Sequence, residues 1–301
     1  MGGTTYSSHS RGITTDNLRE QTQEDIFSND LDPLMSPKNL TVREARDSEA
    51  HPNSVPIIIA VDVTASMGHI PEHIIKNSLT DIVEKTIAAG IPDPAIMFVA
   101  VGDHITDRVP LQVGQFESGD NELAMWLSRI FLEKRGGGNG GESYSLVYHL
   151  ADHHVVTDAW EKRKQKGIII TIGDEKTHPS FNPFHIFNKG EPVTTKTALD
   201  NILDKWDVFH IHANDGNYNT AGSYGKEIVK DWSKLLGERA IVVDDHKTLG
   251  IEMSKLIVSS VSMFNNVPKH NTDPIETKSV VKTPEPKDFD GGQTQKTKII
   301  L

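Results

Sequence analysis

Five runs of near-continuous apolar residues constrain the fold of this chain more than any other feature: 55–61 (VPIIIAV), 95–101 (AIMFVAV), 167–172 (GIIITI), 207–212 (DVFHIH) and 239–243 (RAIVV). A strand with one wet face alternates apolar and polar side chains, whereas an unbroken apolar run must be covered on both faces. Segments with helical spacing separate the runs, at 71–89, 121–133, 143–158, 195–204, 223–236 and 247–262. Strands alternating with helices predict an α/β fold, a doubly wound and mostly parallel sheet with helices on both faces. The stretch VPLQVGQF at 109–116 alternates and follows the second run too closely for a crossover helix, so it is expected as an antiparallel edge strand. With 301 residues, 36% of them hydrophobic, the chain can bury a substantial core.

The ends have a different character. Residues 1–50 are polar and lack a sustained period, which reads as an N-terminal arm, part of which can dock; the domain is expected over 51–264. Residues 265–301 are rich in Pro, Lys and Thr and read as a disordered tail, with Ile299-Ile300-Leu301 as a short anchor. Forty-two acidic against 31 basic residues leave a formal charge of −11, so no basic field exists to hold a nucleic acid. The absence of cysteine excludes disulfides and thiolate metal sites. No segment approaches the roughly 18 uninterrupted apolar residues of a membrane span, and the first twenty residues lack the apolar centre of a secretory signal. The expectation is a cytoplasmic protein without a membrane partner.

The chemistry lies where strands end. Open α/β sheets bind ligands outside the carboxyl ends of their strands, where the connections switch direction. Asp62 closes the first run, and Thr64 and Ser66 follow at alternate positions in VDVTASMG, residues 61–68. One carboxylate and two hydroxyls are hard oxygen donors, suited to Mg²⁺, or to Mn²⁺ or Ca²⁺, rather than zinc. Asp174 follows the run GIIITI in the same way. If the two strands are neighbours, the two carboxylates repel unless a cation or a shared proton intervenes. A third component, RGGGNGGESYS at 135–145, precedes a helix; its glycines let backbone approach a ligand, and Asn139, Glu142, Ser143 and Ser145 offer oxygens.

Asp62-x-Thr64-x-Ser66, the glycine-rich loop and Asp174 together resemble a von Willebrand factor A domain with its metal-ion-dependent adhesion site, over about residues 55–262. The resemblance implies strand order 3-2-1-4-5-6 and a metal held by Asp62, Thr64, Ser66, a second-loop donor and Asp174. The second loop departs from the usual threonine; GGGNGGES is similar to intracellular bacterial, phage and kinase-associated members, and Ser143 is the expected donor, with Asn139 or Glu142 as alternatives. The implied function is a divalent-metal-dependent interaction module that binds an Asp or Glu of a protein partner, such as a component of an ATPase or kinase system, and not an enzyme.

Other readings compete with this one. A Mg²⁺-dependent phosphoester hydrolase could use the same carboxylates, but position 64 lacks the second Asp of Asp-x-Asp phosphatases and no general base is evident. A metal-free scaffold using the same rim is the other alternative. No GxxxxGK[ST] pattern supports a nucleotide loop. His210 and His212, on one face of a strand, read as packed core histidines, and His69 and His178 as supporting groups beside the site. Asp103 reads as a turn residue or as an outer carboxylate near the metal.

Overall fold

A computed structural model describes residues 4–91, 93–133 and 139–266. The glycines at 136–138 and the tail from 267 onward lie outside the described residues. Six strands, labelled here in chain order, form the main sheet: β1 (Val55–Asp62), β2 (Pro94–Val101), β3 (Leu111–Val113), β4 (Gly167–Gly173), β5 (Trp206–Ala213) and β6 (Ala240–Val243). Their order is β3-β2-β1-β4-β5-β6, and every pairing is parallel except that of β2 with β3. This is the doubly wound fold expected from the apolar runs, with its antiparallel edge.

Every residue of β1, β2 and β4 is buried, because alternate side chains enter two different cores. Ile57, Ile59 and Val61 pack with Ile168, Ile170 and Ile172 on one face, and Ile58 and Ala60 with Met97 and Ile169 on the other. The longer helices are α1 (Ser8–Glu20), α2 (Leu79–Ala88), α3 (Asp120–Leu127), α4 (Ser145–His153), α5 (Ser223–Leu236) and α6 (Leu249–Asn266). Leu79, Ile82 and Val83 of α2, Leu123 of α3 and Leu249, Met253 and Ile257 of α6 cover the first face. Leu146, Val147 and Leu150 of α4 and Ile228 and Trp232 of α5 cover the second. Each such side chain contributes about 1.5–3 kcal/mol by leaving water.

Several boundaries differ from the periodicity. The segment 143–158 is not one helix: α4 ends at His153, Val155–Thr157 is a short strand paired in parallel with Arg43–Ala45, and a new helix runs Asp158–Arg163. Three successive β-branched residues favour extended backbone, and Thr157 restarts the helix by accepting the Trp160 N–H at 3.3 Å. The segment expected at 71–89 contains a π-helical turn, Ile74–Ser78. The segment expected at 121–133 stops at Leu127.

Residues before 50, polar in composition, carry α1 and place Leu18, Ile26, Phe27 and Met35 in the first-face core. The Ser7 N–H and Ser10 hydroxyl both donate to Asp120 at the start of α3. These apolar anchors are irregularly spaced, so no period reveals them. Among the described residues no helix is long and apolar enough to cross a membrane.

Candidate metal centre

Strands β2 and β4 flank β1, so chain connections leave β1 and β4 in opposite directions and open a crevice above their carboxyl ends. At this rim the Val63 N–H bonds to Val101 O at 2.9 Å, and the chain then turns sharply. Gly68 completes the turn with φ of 55°, a conformation strained for any residue with a side chain.

The turn aims its polar groups inward. Asp62 Oδ1 accepts from the Thr64 N–H at 2.8 Å and the Thr64 hydroxyl at 2.7 Å; Thr64 Oγ1 lies 3.1 Å from Ser66 Oγ. The Ser66 hydroxyl donates to Asp174 Oδ1 at 2.7 Å. Two hydroxyls thus link the carboxylates of Asp62 and Asp174, both fully buried, across neighbouring strands. Asp174 Oδ2 accepts the backbone N–H groups of Asn217 at 2.9 Å and Tyr218 at 3.3 Å.

That backbone approach depends on Gly216, where a Cβ would lie 2.6 Å from Asp174 Oδ2. Gly216→Ala is therefore expected to push Asp174 off Ser66 and cost about 1–3 kcal/mol by overpacking. Urea unfolding checks this; an unchanged midpoint would show that the loop yields freely.

The second loop delivers its groups differently from the sequence expectation. Ser143, fully buried, accepts the His104 N–H at 2.8 Å and lies 2.8 Å from His104 Nδ1, so its hydroxyl faces His104. Asn139 donates to Asp103 Oδ2. The residue that bonds Asp62 is Tyr144, whose hydroxyl donates to Oδ2 at 2.6 Å. Only a buried tyrosine's need for a hydrogen-bond partner could have pointed to it. Glu142 is 2% exposed, and its Oε2 has no hydrogen-bond partner.

These carboxylates are electrostatically uncomfortable. Burial, and then the charge of Asp174, push the Asp62 carboxyl up to about 7, against hydrogen bonds from Tyr144 and Thr64. Burial, then the charges of Asp62 and Asp103, push Glu142 up to about 10. Burial also raises Asp174, although Ser66 and two backbone N–H groups oppose it. Among the described residues no lysine, arginine or histidine forms an ion pair with Asp62, Glu142 or Asp174. Buried carboxylates without a cationic side chain, lined by hydroxyls, fit a hard divalent ion.

Other groups singled out from sequence occupy distinct places. His210 is fully buried, stacked on Trp232 with ring centroids 3.6 Å apart, and its Nδ1 lies 2.9 Å from Thr171 Oγ1. His212 is also buried. His69 packs against His246 rather than on the carboxylates. His178 Nε2 lies 2.6 Å from Asp103 Oδ1. Asp103 also closes its turn through the Ile105 and Thr106 N–H groups. Burial pushes its carboxyl upward, but hydrogen bonds from His178, Thr106, Ile105 and Asn139 outweigh this and hold it well below the usual range.

No protein-family model matches the chain, and no curated protein matches it significantly. Among solved structures, the pilus adhesin SpaC from Lactobacillus rhamnosus GG, in an open conformation, is 9% identical over 74% of this chain and 31% of that one, with a TM-score of 0.46. A von Willebrand factor type A protein from Catenulispora acidiphila is 14% identical over 69% and 43%, with a TM-score of 0.40. Proximal thread matrix protein 1 from the mussel byssus, with a zinc-occupied MIDAS motif, is 9% identical over 74% and 47%, with a TM-score of 0.43. The chain spans less than half the length of each.

Proposed function

We propose that this chain is a divalent-metal-dependent protein-interaction module. Asp62, Thr64, Ser66 and Asp174 hold the ion, Mg²⁺ by preference, and the partner offers an Asp or Glu side chain. The observation that carries this reading is the pair of buried carboxylates from adjacent strands, bridged by Ser66 and Thr64 and without an ion-pairing cationic side chain among the described residues. Glu142 takes the place of Ser143 as the second-loop donor at this site, because its buried Oε2 is unpartnered while Ser143 Oγ faces His104.

A bound ion supplies a positive charge and an open coordination position at a rim that otherwise repels acids. Tyr144 and the backbone N–H groups of Asn217 and Tyr218 orient the two carboxylates. Binding is favoured over phosphoester hydrolysis because Thr64 stands where an Asp-x-Asp enzyme carries its second carboxylate. A partner from an ATPase or kinase system, and a cytoplasmic setting, belong to the same proposal.

Calorimetric titration with Mg²⁺ and Mn²⁺ tests the site: wild type is expected to bind one equivalent, and Asp62→Ala none. Partner capture in Mg²⁺ should be released by chelator and absent for Asp62→Ala. Capture that persists unchanged in both cases would leave a metal-free scaffold.

A further inference from the structure

Beside the Asp62–Asp174 pair, three loops bring together a second donor set of different chemistry. Asp103 Oδ1, His178 Nε2 and His104 Nδ1 all lie within 4.8 Å of one another. The first two are 2.6 Å apart, and Asp103 Oδ1 to His104 Nδ1 is 3.9 Å. Donors around a tetrahedral zinc ion, bound at about 2.0–2.1 Å, stand about 3.3 Å apart, between these two separations. Ser143 Oγ, 2.8 Å from His104 Nδ1, adds a fourth donor atom. Ser143 Oγ accepts the His104 N–H and is hydrogen-bonded to His104 Nδ1, a bond that an ion at Nδ1 would displace.

Main-chain hydrogen bonds hold the contributing loops in place. Ser143 N–H bonds to Gly102 O at 3.0 Å, Glu142 N–H to Lys176 O at 2.8 Å and His178 N–H to Glu142 O at 3.2 Å. The His178 ring lies against Gly141, where a Cβ would be 2.8 Å from Nδ1. Glu142, in the same stapled loop, is 2% exposed with an unpartnered Oε2.

We propose that Asp103, His104 and His178, completed by Ser143, form a second metal site selective for a borderline divalent ion of the zinc class, which clamps the 102–107, 139–143 and 174–178 loops together. Two imidazoles favour Zn²⁺ or Co²⁺, whereas the all-oxygen set at Asp62 favours Mg²⁺. The two sites therefore select different ions. The inference does not depend on the adhesion reading, since a clamp can serve any use of the rim.

Zn²⁺ competition against a chromophoric chelator, and visible absorption of the Co²⁺-loaded full chain, test it. Wild type and Asp62→Ala are each expected to hold one tight Zn²⁺ equivalent and to give the same Co²⁺ bands. His178→Ala should weaken Zn²⁺ at least tenfold and abolish the bands. His104→Ala, at a partly exposed ring, should do the same if His178→Ala fails to fold. Zn²⁺ affinity unchanged in both histidine variants, or absent from wild type, would leave a hydrogen-bonded Asp–His pair and overturn the site. Zn²⁺ lost only with Asp62→Ala would assign it to the rim. Mg²⁺ titration of His178→Ala reads the other site separately, so the two proposals fail independently.

Discussion

Raising the pH of the metal-free protein from about 5 to about 8 is expected to lower its unfolding temperature progressively, and Mg²⁺ is expected to restore it. Asp62 and Glu142 are the source: their folded carboxyls are raised to about 7 and about 10, while the unfolded chain titrates near the ordinary values of 3.8 and 4.5. A folded state that binds protons more tightly than the unfolded one is favoured at low pH. The contribution is therefore complete below about pH 4 and lost as pH rises toward and through the folded values. For Asp62 the shift of about three units corresponds to a penalty on the order of 4 kcal/mol at pH 8.

The acid side has the opposite sign. Burial lowers His210 well below its ordinary value, so it is neutral when folded and stability falls as pH drops below about 6.5. Above about pH 4.5 the two carboxylates outweigh the one imidazole, so from these groups the metal-free protein should be most stable near pH 4–4.5. Asp62→Asn removes the charge and keeps the shape: its Oδ1 still accepts from Thr64, and its amide can donate to the Tyr144 hydroxyl. This variant is expected to be more stable than wild type at pH 8 in chelator, by up to about 3–4 kcal/mol, and to lose the response to Mg²⁺. Thermal unfolding across pH, with and without Mg²⁺, reads both limbs. A flat alkaline limb in wild type, or a destabilised Asp62→Asn, would show that the carboxylates are not held as mutually repelling charges.

How much of this was legible follows from where each signal resides. Strands β1, β2, β4 and β5 could be read because burial on both faces leaves an unbroken apolar run. The proximity of Ser66 to Asp174 could be anticipated because parallel neighbours end at the same rim, where a residue just past each strand has one place to go. Helix continuity over 143–158 could not be judged: His153 and His154 are neutral toward helix, and the break rests on a pairing of Val155–Thr157 with Arg43–Ala45, far away in sequence. That part of the first 50 residues can dock was expected, but its anchors could not be named, since Leu18, Ile26, Phe27 and Met35 follow no period.

Side-chain destinations in the second loop were the hardest to read. Glu142, Ser143 and Tyr144 are consecutive, yet each serves a different neighbour. Glu142 senses Asp62 and Asp103, Ser143 bonds His104, and Tyr144 passes beneath to reach Asp62. Residue type alone offered three plausible oxygens and no means of assigning them. Asp103 and His178 likewise come together through loops stapled by the backbone groups of Glu142, to Lys176 and His178, and of Ser143, to Gly102.

Trp232→Ala is expected to be the most destabilising single change, costing about 3–5 kcal/mol. Trp232 is 2% exposed, among the largest side chains in the second-face core, and its ring stacks on His210 at an interplanar angle of 9°. Its Nε1–H donates to Glu175 O at 2.9 Å, at the residue after Asp174. The side chain therefore ties α5 to the loop that carries a rim carboxylate, and its loss removes packing and position together. Trp232→Phe separates the two: it keeps most of the volume but leaves the buried Glu175 carbonyl without this donor, for a cost of about 1–3 kcal/mol. If position matters, Trp232→Phe should weaken Mg²⁺ binding more than its stability loss alone accounts for, because Asp174 is released from its register with Ser66. Equal Mg²⁺ affinity in folded Trp232→Phe and wild type would confine the tryptophan to the core and leave Ser66, Asn217 and Tyr218 as sufficient to hold Asp174.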